Sequence, residues 1–315
     1  MLLFFHKTMT IRIVTDSASD LPWDFARENN IKIVPLYMMV HDEVLKEDEK
    51  FDRDSYYQLF EDEKAFYHIP KLNLHSFVPN TSQPNPQDFE VAYLEQIKEG
   101  AKEIIVINVT AGLSGTTNSS NLAAKKVMRK QPDVKIYIID AKSASYPEVI
   151  LIRMALNLIK KKKYSGEQIA EILKEQAIKI RTIILLPTIR YLWKGGRLGR
   201  FGTAKFALGS LLKKKPIVTM NEEGFVETAG EAKDVHEGLI ESLRLSLENA
   251  PKEPKAFTIV YGSRKDYAEE LVDLIKEKYP KIEIEIAQSG GSVLSHLGPE
   301  SIGLITDYTD DEHWK

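Results

Sequence analysis

The chain reads as an α/β protein of two units, the first built on a mostly parallel sheet and the second on a mixed one. Three observations predict this. At 315 residues the chain is about twice the length of a typical domain. In the first half, short β-rich runs alternate with helical stretches. Strands separated by helices imply right-handed crossovers and parallel pairing. In the second half, residues 281–287 (KIEIEIA) alternate apolar and charged side chains. One face then lies in a core and the other in water, which suits a mixed sheet.

The elements follow in order. Residues 11–16 (IRIVTD) form a strand that breaks into SASDLP, where Asp20 can cap a helix led by Pro22. Residues 31–40 (IKIVPLYMMV) read as the next strand, with Pro35 marking an edge or an irregularity. The acidic stretch after it, HDEVLKEDEKFDRDSYYQLFEDEKA, reads as a solvated helix in its second half. Beyond a loop at residues 78–86 come an amphipathic helix, a strand at 103–110 (EIIVINVT), a helix from about Gly115 and a strand at 134–140 (VKIYIID). Parallel sheets bind ligands beyond their C-terminal strand ends, which points to Asp16, Thr110 and the loops that follow. Helices at 147–163 and 165–179, joined by the surface turn KKKKYSGEQ, separate the halves, so the units are expected to cover residues 10–175 and 176–315. The second half then offers a strand at 182–186 and a hairpin of 215–220 and 225–230 around NEEG. Strands at 256–262 and 281–287 flank a further helix.

Composition narrows the function classes. Formal net charge is −3, from 43 basic and 46 acidic residues. That argues against a general nucleic-acid binder and leaves only local patches such as the lysine run at 213–215. There is no cysteine, so disulfides, thiolate catalysis and cysteine zinc sites are excluded. The opening MLLFFHKTMT carries a short apolar run at residues 2–5, whereas a secretory core needs roughly 7–15 apolar residues. It reads as an extension ahead of Met9. No run approaches the roughly 20 apolar residues of a membrane span. The expectation is a soluble, cytoplasmic protein without a cofactor.

Four loops hold the residues suited to chemistry. In Asn80-Thr81-Ser82-Gln83-Pro84-Asn85-Pro86 the hydroxyls can cap the following helix, or join free backbone N–H groups in holding an anion. In residues 110–120 (TAGLSGTTNSS), six of eleven side chains are Ser or Thr, between a strand and a helix. Gly112 and Gly115 allow close backbone approach, and Ser114 stands where an N-cap or an anion-binding hydroxyl would be. No GK[ST] follows, so a small carboxylate or phosphate suits this loop better than a nucleotide. Residues 194–202 (KGGRLGRFG) resemble a dinucleotide fingerprint only superficially, because helical residues precede them. There Arg197 can grip an oxyanion bidentately or stay solvated. Residues 290–303 (GGSVLSHLGPESIG) embed His296 among glycines beside a proline-led helix start, in a structural or a ligand-contacting role.

Catalytic motifs fit poorly. No HExxH or EF-hand spacing occurs, and the clusters at 41–43 and 310–313 read as exposed acidic surface. Ser114, His296 and Asp16 or Asp140 supply the residue types of a triad, yet GLSGT lacks the GxSxG of a nucleophile elbow. A self-sufficient phosphotransferase or hydrolase is the alternative to a binding protein.

Taken in order, IVTDSASDLP, TSQPNPQDF, SGTTNSSNLAA, YLWKGGRLG, KPIV with its hairpin and SHLGPESIG resemble the DegV family of bacterial fatty-acid-binding proteins, from about Ile11 to Leu304. The resemblance implies two α/β domains with a long-chain fatty acid between them and no catalysis by this chain alone. It implies that Thr81, with Ser82 beside it, and Ser114, with Gly115, hold the carboxylate, and that Arg197 and His296 lie in the head-group region. It also implies a partner, since some family members are the binding subunit of a fatty acid kinase whose separate ATP-binding protein phosphorylates the carboxylate. Tyr146-Pro147-Glu148-Val149, where the family is small and glycine-rich, and Glu300, where it has a terminal glycine, depart from the pattern. Both are expected to bear on lipid preference.

Overall fold

The computed structural model describes residues 10–40, 43–66, 79–197 and 214–314. Strand β1 (Ile11–Asp16) leads through a 3-10 turn (Ser17–Ser19) to α1 (Trp23–Glu28). The apolar run at 31–40 is two strands. β2 (Lys32–Val34) pairs parallel with β1, whereas β3 (Tyr37–Val40) pairs antiparallel with β4 (Glu43–Lys46) in a separate sheet. The change of sheet falls at Pro35–Leu36, where proline has no N–H to donate to a ladder. Helix α2 (Arg53–Phe66) occupies the second half of the acidic stretch, but it is not solvated all round, since Tyr56, Tyr57 and Phe60 are buried, while the first half supplies β4. β5 (Asn80–Ser82) adds to the other side of β3.

Helix α3 (Pro86–Lys98), β6 (Glu103–Asn108), α4 (Thr116–Lys130) and β7 (Lys135–Asp140) complete a parallel sheet of order β2-β1-β6-β7. All six residues of β6 are buried, as a strand covered on both faces requires. Ile104 and Val106 pack with Phe89, Tyr93 and Val127 of α3 and α4. Ile105 and Ile107 pack with Leu151 and Ile169 on the opposite face. Those residues belong to α5 (Tyr146–Lys160) and α6 (Gly166–Ala177), the latter opened by a Ser165/Gln168 capping box.

The remaining elements are β8 (Ile180–Leu185), α7 (Arg190–Lys194), β9 (Lys215–Met220), β10 (Val226–Ala232) and α8 (Val235–Leu247). After them come β11 (Ala256–Tyr261), α9 (Lys265–Lys278), β12 (Glu283–Gln288), α10 (Gly291–Leu297) and β13 (Ile302–Asp307). Among the described residues they build a six-stranded sheet of order β10-β9-β8-β13-β11-β12. Only β11 and β12 pair parallel in it, so the sheet is mixed, and the predicted hairpin is β9–β10 with a bulge between Thr228 and Gly230.

Several local expectations are corrected. β13, a central strand, occupies a segment read as a glycine-rich loop running into a proline-led helix. The helix instead precedes the proline: α10 ends at Gly298, whose φ of 85° suits glycine, and Pro299 follows as a stop. Asp20 does not cap α1, whose N-cap position is Pro22 and carries no side-chain bond. The Asp20 carboxylate accepts from Ser145 Oγ at 2.5 Å and from the Gly290 N–H at 2.8 Å. Helix α3 is capped by Asn85 in a box with Asp88, which frees the hydroxyls of Thr81 and Ser82 from that duty. The cluster at 310–313 is not plain acidic surface, because Asp310 bonds Lys179 and Gln176, and His313 is buried. His41 and Asp42, Met9 with the residues before it, and Lys213 lie outside the described residues. Of the rest of that lysine run, Lys214 pairs with Glu231 and Lys215 opens β9.

One apolar cluster joins the halves, uniting Ile13, Ile105 and Leu151 with Ile180, Val260 and Ile305. Helix α10, though late in the chain, packs on β3, β5 and α2, and Ser295 Oγ lies 2.6 Å from Tyr56 Oη. This excursion across the molecule positions the site.

Candidate functional site

A cavity of about 940 Å³, measured with the solvent at its mouth, opens between the parallel and the mixed sheet. Ala18, Val109 and Ala144 line it from the loops after β1, β6 and β7, the C-terminal strand ends at which parallel sheets bind ligands. Ile184, Val260 and Ile305 line it from β8, β11 and β13. Val293 and Leu297 face it from α10 together with His296, at the i, i+3, i+4 spacing of one helix face.

Thr81, Ser114, Arg197 and His296 all line this cavity. β5 sets Thr81 by pairing it with Met38, α10 presents His296, and the turn after α7 brings in Arg197. Thr81 Oγ1 lies 2.7 Å from His296 Nε2, and Arg197 Nη2 donates to the same oxygen at 3.5 Å. Arg197 Nη1 donates to the Gly195 carbonyl. His296 Nδ1 is buried without a partner among the described residues and faces Gly195, where an added Cβ would stand 2.5 Å from it. Glycine is required there by this close approach.

Hydrogen-bond bookkeeping assigns the ring proton. A neutral imidazole carries one N–H, and a proton on Nδ1 would be buried without an acceptor. On Nε2 it is used, donated to Thr81 Oγ1. That oxygen then accepts from His296 and Arg197, and its own O–H is left to donate into the cavity. The imidazole is held neutral because burial, and then the Arg197 charge, push its pKa down to about 3. Burial also lowers the Arg197 pKa, and among the described residues no carboxylate pairs with it. Among the described residues this corner of the cavity thus holds a partly desolvated cation with a hydroxyl donor and no carboxylate paired to it.

Ser114 sits before α4, whose N-cap, Gly115, makes no side-chain bond. Its Oγ accepts from the Thr116 N–H at 3.2 Å and lies 2.8 Å from Thr116 Oγ1. Two of the expected residues stand outside the lining. Ser82 is exposed and donates to the Gln83 carbonyl at 3.4 Å, because alternation along β5 turns it away from Thr81. Gly115 packs against the Gln83 side chain, which holds the Ser114 loop next to β5. The triad is not assembled: His296 bonds Thr81, and Asp16 accepts from Ala18, Asn108 and Val109.

Behind the cavity lies a set of buried carboxyls that the sequence did not reveal. Burial raises Asp16 and Asp20 to about 7 and lifts Glu47 and Glu148 as well. Asp20 holds Ser145, a lining residue, and Glu47 accepts from the Ser292 N–H at 3.0 Å, so both pin the start of α10. The lining stops at Ser145. Tyr146, Pro147 and Glu148 are buried in the first turn of α5 instead. Glu300 lies outside the lining too, and its charge acts on Arg264.

The two sheets, and a largely apolar cavity between them with a cationic, hydroxyl-bearing group, define an α/β architecture suited to holding a ligand. A family model described as "Uncharacterised protein, DegV family" matches residues 10–308. The chain belongs to the DegV family. A Thermotoga maritima protein named "Fatty acid-binding protein" is 28% identical over 305 residues, covering 94% of this chain and 97% of that one. A solved structure from Thermus thermophilus, described as fatty acid binding of a DegV family protein, is 26% identical, with a TM-score of 0.78 over 95% of this chain and 99% of that one. The structure of DegV, a fatty acid binding protein from Bacillus subtilis, is 25% identical with a TM-score of 0.79 over the same shares. Among the described residues no helix is long and apolar enough to cross a membrane.

Proposed function

We propose that this chain binds a long-chain fatty acid, with its carboxylate at Thr81, Ser114, Arg197 and His296 and its acyl chain in the cavity. The observation that carries the reading is the Thr81–His296–Arg197 arrangement, a hydroxyl proton and a guanidinium without a carboxylate partner among the described residues, at a largely apolar cavity. A buried carboxylate without donors is costly, and these groups answer it. The chain supplies affinity at roughly 0.8 kcal/mol per buried CH₂, partly offset by the cost of association. The fatty-acid binding named for the Thermotoga, Thermus and Bacillus relatives supports the choice of ligand class. Residues 10–175 and 176–315 are the two units whose facing surfaces form the cavity. The bound carboxyl is then presented to a separate ATP-binding kinase subunit, in keeping with a cytoplasmic protein that does no chemistry alone.

Native mass spectrometry of the purified protein tests the binding. The expected result is a co-purified fatty acid, or uptake of one added after delipidation. A cavity that stays empty in the presence of excess oleate and stearate overturns the reading. Hydrolysis of acyl esters, or phosphorylation of a fatty acid by the lone protein with ATP, would restore the enzyme alternative.

A further inference from the structure

We propose that Gly303 is a specificity-determining residue that sets how long an acyl chain the cavity accepts; this rests on the fatty-acid reading of the same site. Gly303 lies inside β13, a central strand paired with β8 on one side and β11 on the other. A glycine there is unfavourable for the sheet, since it orders a flexible residue and packs no side chain.

Nothing among the described residues demands it. Gly303 does not have a positive φ, so an L side chain fits its backbone. A Cβ built on it would meet Val260 O at 3.7 Å and Val260 Cβ at 3.8 Å, ordinary contact distances. The glycines around the site differ: Gly195 and Gly298 would drive a Cβ into His296 and into the Tyr191 ring. Gly303 is instead a cavity-lining residue facing open space. Where neither conformation nor packing calls for glycine in a strand interior, close approach of a ligand is the remaining physical use.

Register fixes the place of that space. Gly303 is directly opposite Ile184 of β8 and Val260 of β11, while Ile305 is opposite Thr182. All of these line the cavity, so they form one continuous sheet face. The alternate residues Ile302 and Leu304 pack the other way, against α8 and α9. Along β13 the lining runs Ser301, Gly303, Ile305, beginning at the strand end nearest α10 and His296. Gly303 is therefore midway down the row that leads away from the head group. A side chain there would take up, in a close-packed space, room for about as many ligand carbons as it brings.

Delipidated wild-type protein and the Gly303→Ala, Gly303→Val and Gly303→Leu variants, offered an equimolar mixture of saturated fatty acids of graded length, test this by native mass spectrometry. Direct titrations follow with the shortest and longest acids bound. The bound distribution is expected to shift to shorter acids in the order Ala, Val, Leu, with Leu shortening the preferred chain by about four carbons. Affinity for the longest acid should fall roughly ten- to a hundredfold, as overpacking dictates, and that for the shortest change little. Melting of the unliganded variants should stay level or rise, since a side chain improves the strand. If the wild type binds fatty acids and all variants bind the same lengths with the same affinities, the proposal is wrong. An equal loss across all lengths also overturns it. A wild type that binds no fatty acid refutes the underlying reading instead.

Discussion

Replacing Thr81 by valine removes one oxygen while keeping the shape of the side chain, and the structure allows its effect to be worked out in both states. In the unliganded protein Thr81 Oγ1 is the partner of His296 Nε2 at 2.7 Å, and His296 Nδ1 has none among the described residues. Thr81→Val therefore leaves a buried imidazole N–H unsatisfied, which costs about 1–3 kcal/mol and lowers the melting temperature by a few degrees. In the complex the variant loses the hydroxyl donated to the carboxylate. A hydrogen bond to a charged group contributes about 1.5–3 kcal/mol, so affinity should fall roughly ten- to a hundredfold. Displacement of a fluorescent fatty acid from delipidated protein measures this. The fatty alcohol of equal length serves as the control, and being neutral it should lose only about two- to tenfold. Thr81→Ser should restore most of the affinity. An unchanged affinity for the acid in Thr81→Val, or an equal loss for acid and alcohol, would refute the assignment of Thr81 as a carboxylate donor.

Three further outcomes follow from the same geometry. Arg197→Met removes a desolvated cation that has no carboxylate partner among the described residues, so the unliganded protein should melt within about two degrees of wild type while the rise on adding fatty acid shrinks markedly; differential scanning fluorimetry with and without ligand reads both. His296, held neutral with a pKa of about 3, should show no imidazole titration by NMR between pH 5 and 8, and affinity should show no inflection near pH 6.5. Between about pH 6.5 and 3 the unfolded chain takes up a proton that the native ring refuses, so stability falls as pH falls through that window, and His296→Gln should flatten the slope in chemical denaturation. Gly195→Ala sets a methyl 2.5 Å from His296 Nδ1 and should weaken binding of acid, while Gly196→Ala, with open space around it but a φ of 69°, should reduce stability more than affinity.

The fold was legible where local pattern and burial agree. The apolar runs of β6 and β7, the β9–β10 hairpin and the helices between them follow from periodicity and turn residues. β4 was hidden because Glu43–Lys46 is an exposed strand of a small sheet, whose sequence carries charge rather than a core face. β13 was hidden by the Gly-Pro punctuation before it, which marks the end of α10 rather than a loop. The site divides in the same way. Ser114 and Thr81 were marked by hydroxyl-rich loops, but which hydroxyl faces the cavity depends on the pleat of β5, and Ser82 faces the other way. Asp20 looked like a local helix cap, whereas its partners Ser145 and Gly290 are 125 and 270 residues distant. The bond between Thr81 and His296 spans 215 residues, beyond any spacing rule. The ordered set of motifs, read as a resemblance, brought those residues together before the geometry did.

A crystal structure of the protein with a saturated long-chain fatty acid bound would locate the head group and the tail together. Carboxylate density is expected within hydrogen-bonding distance of Thr81 Oγ1 and the Arg197 guanidinium, with the acyl chain passing over Gly303 toward Ile305. A ligand bound in the reverse sense, or one seated outside this cavity while the cavity stays empty, would contradict that placement.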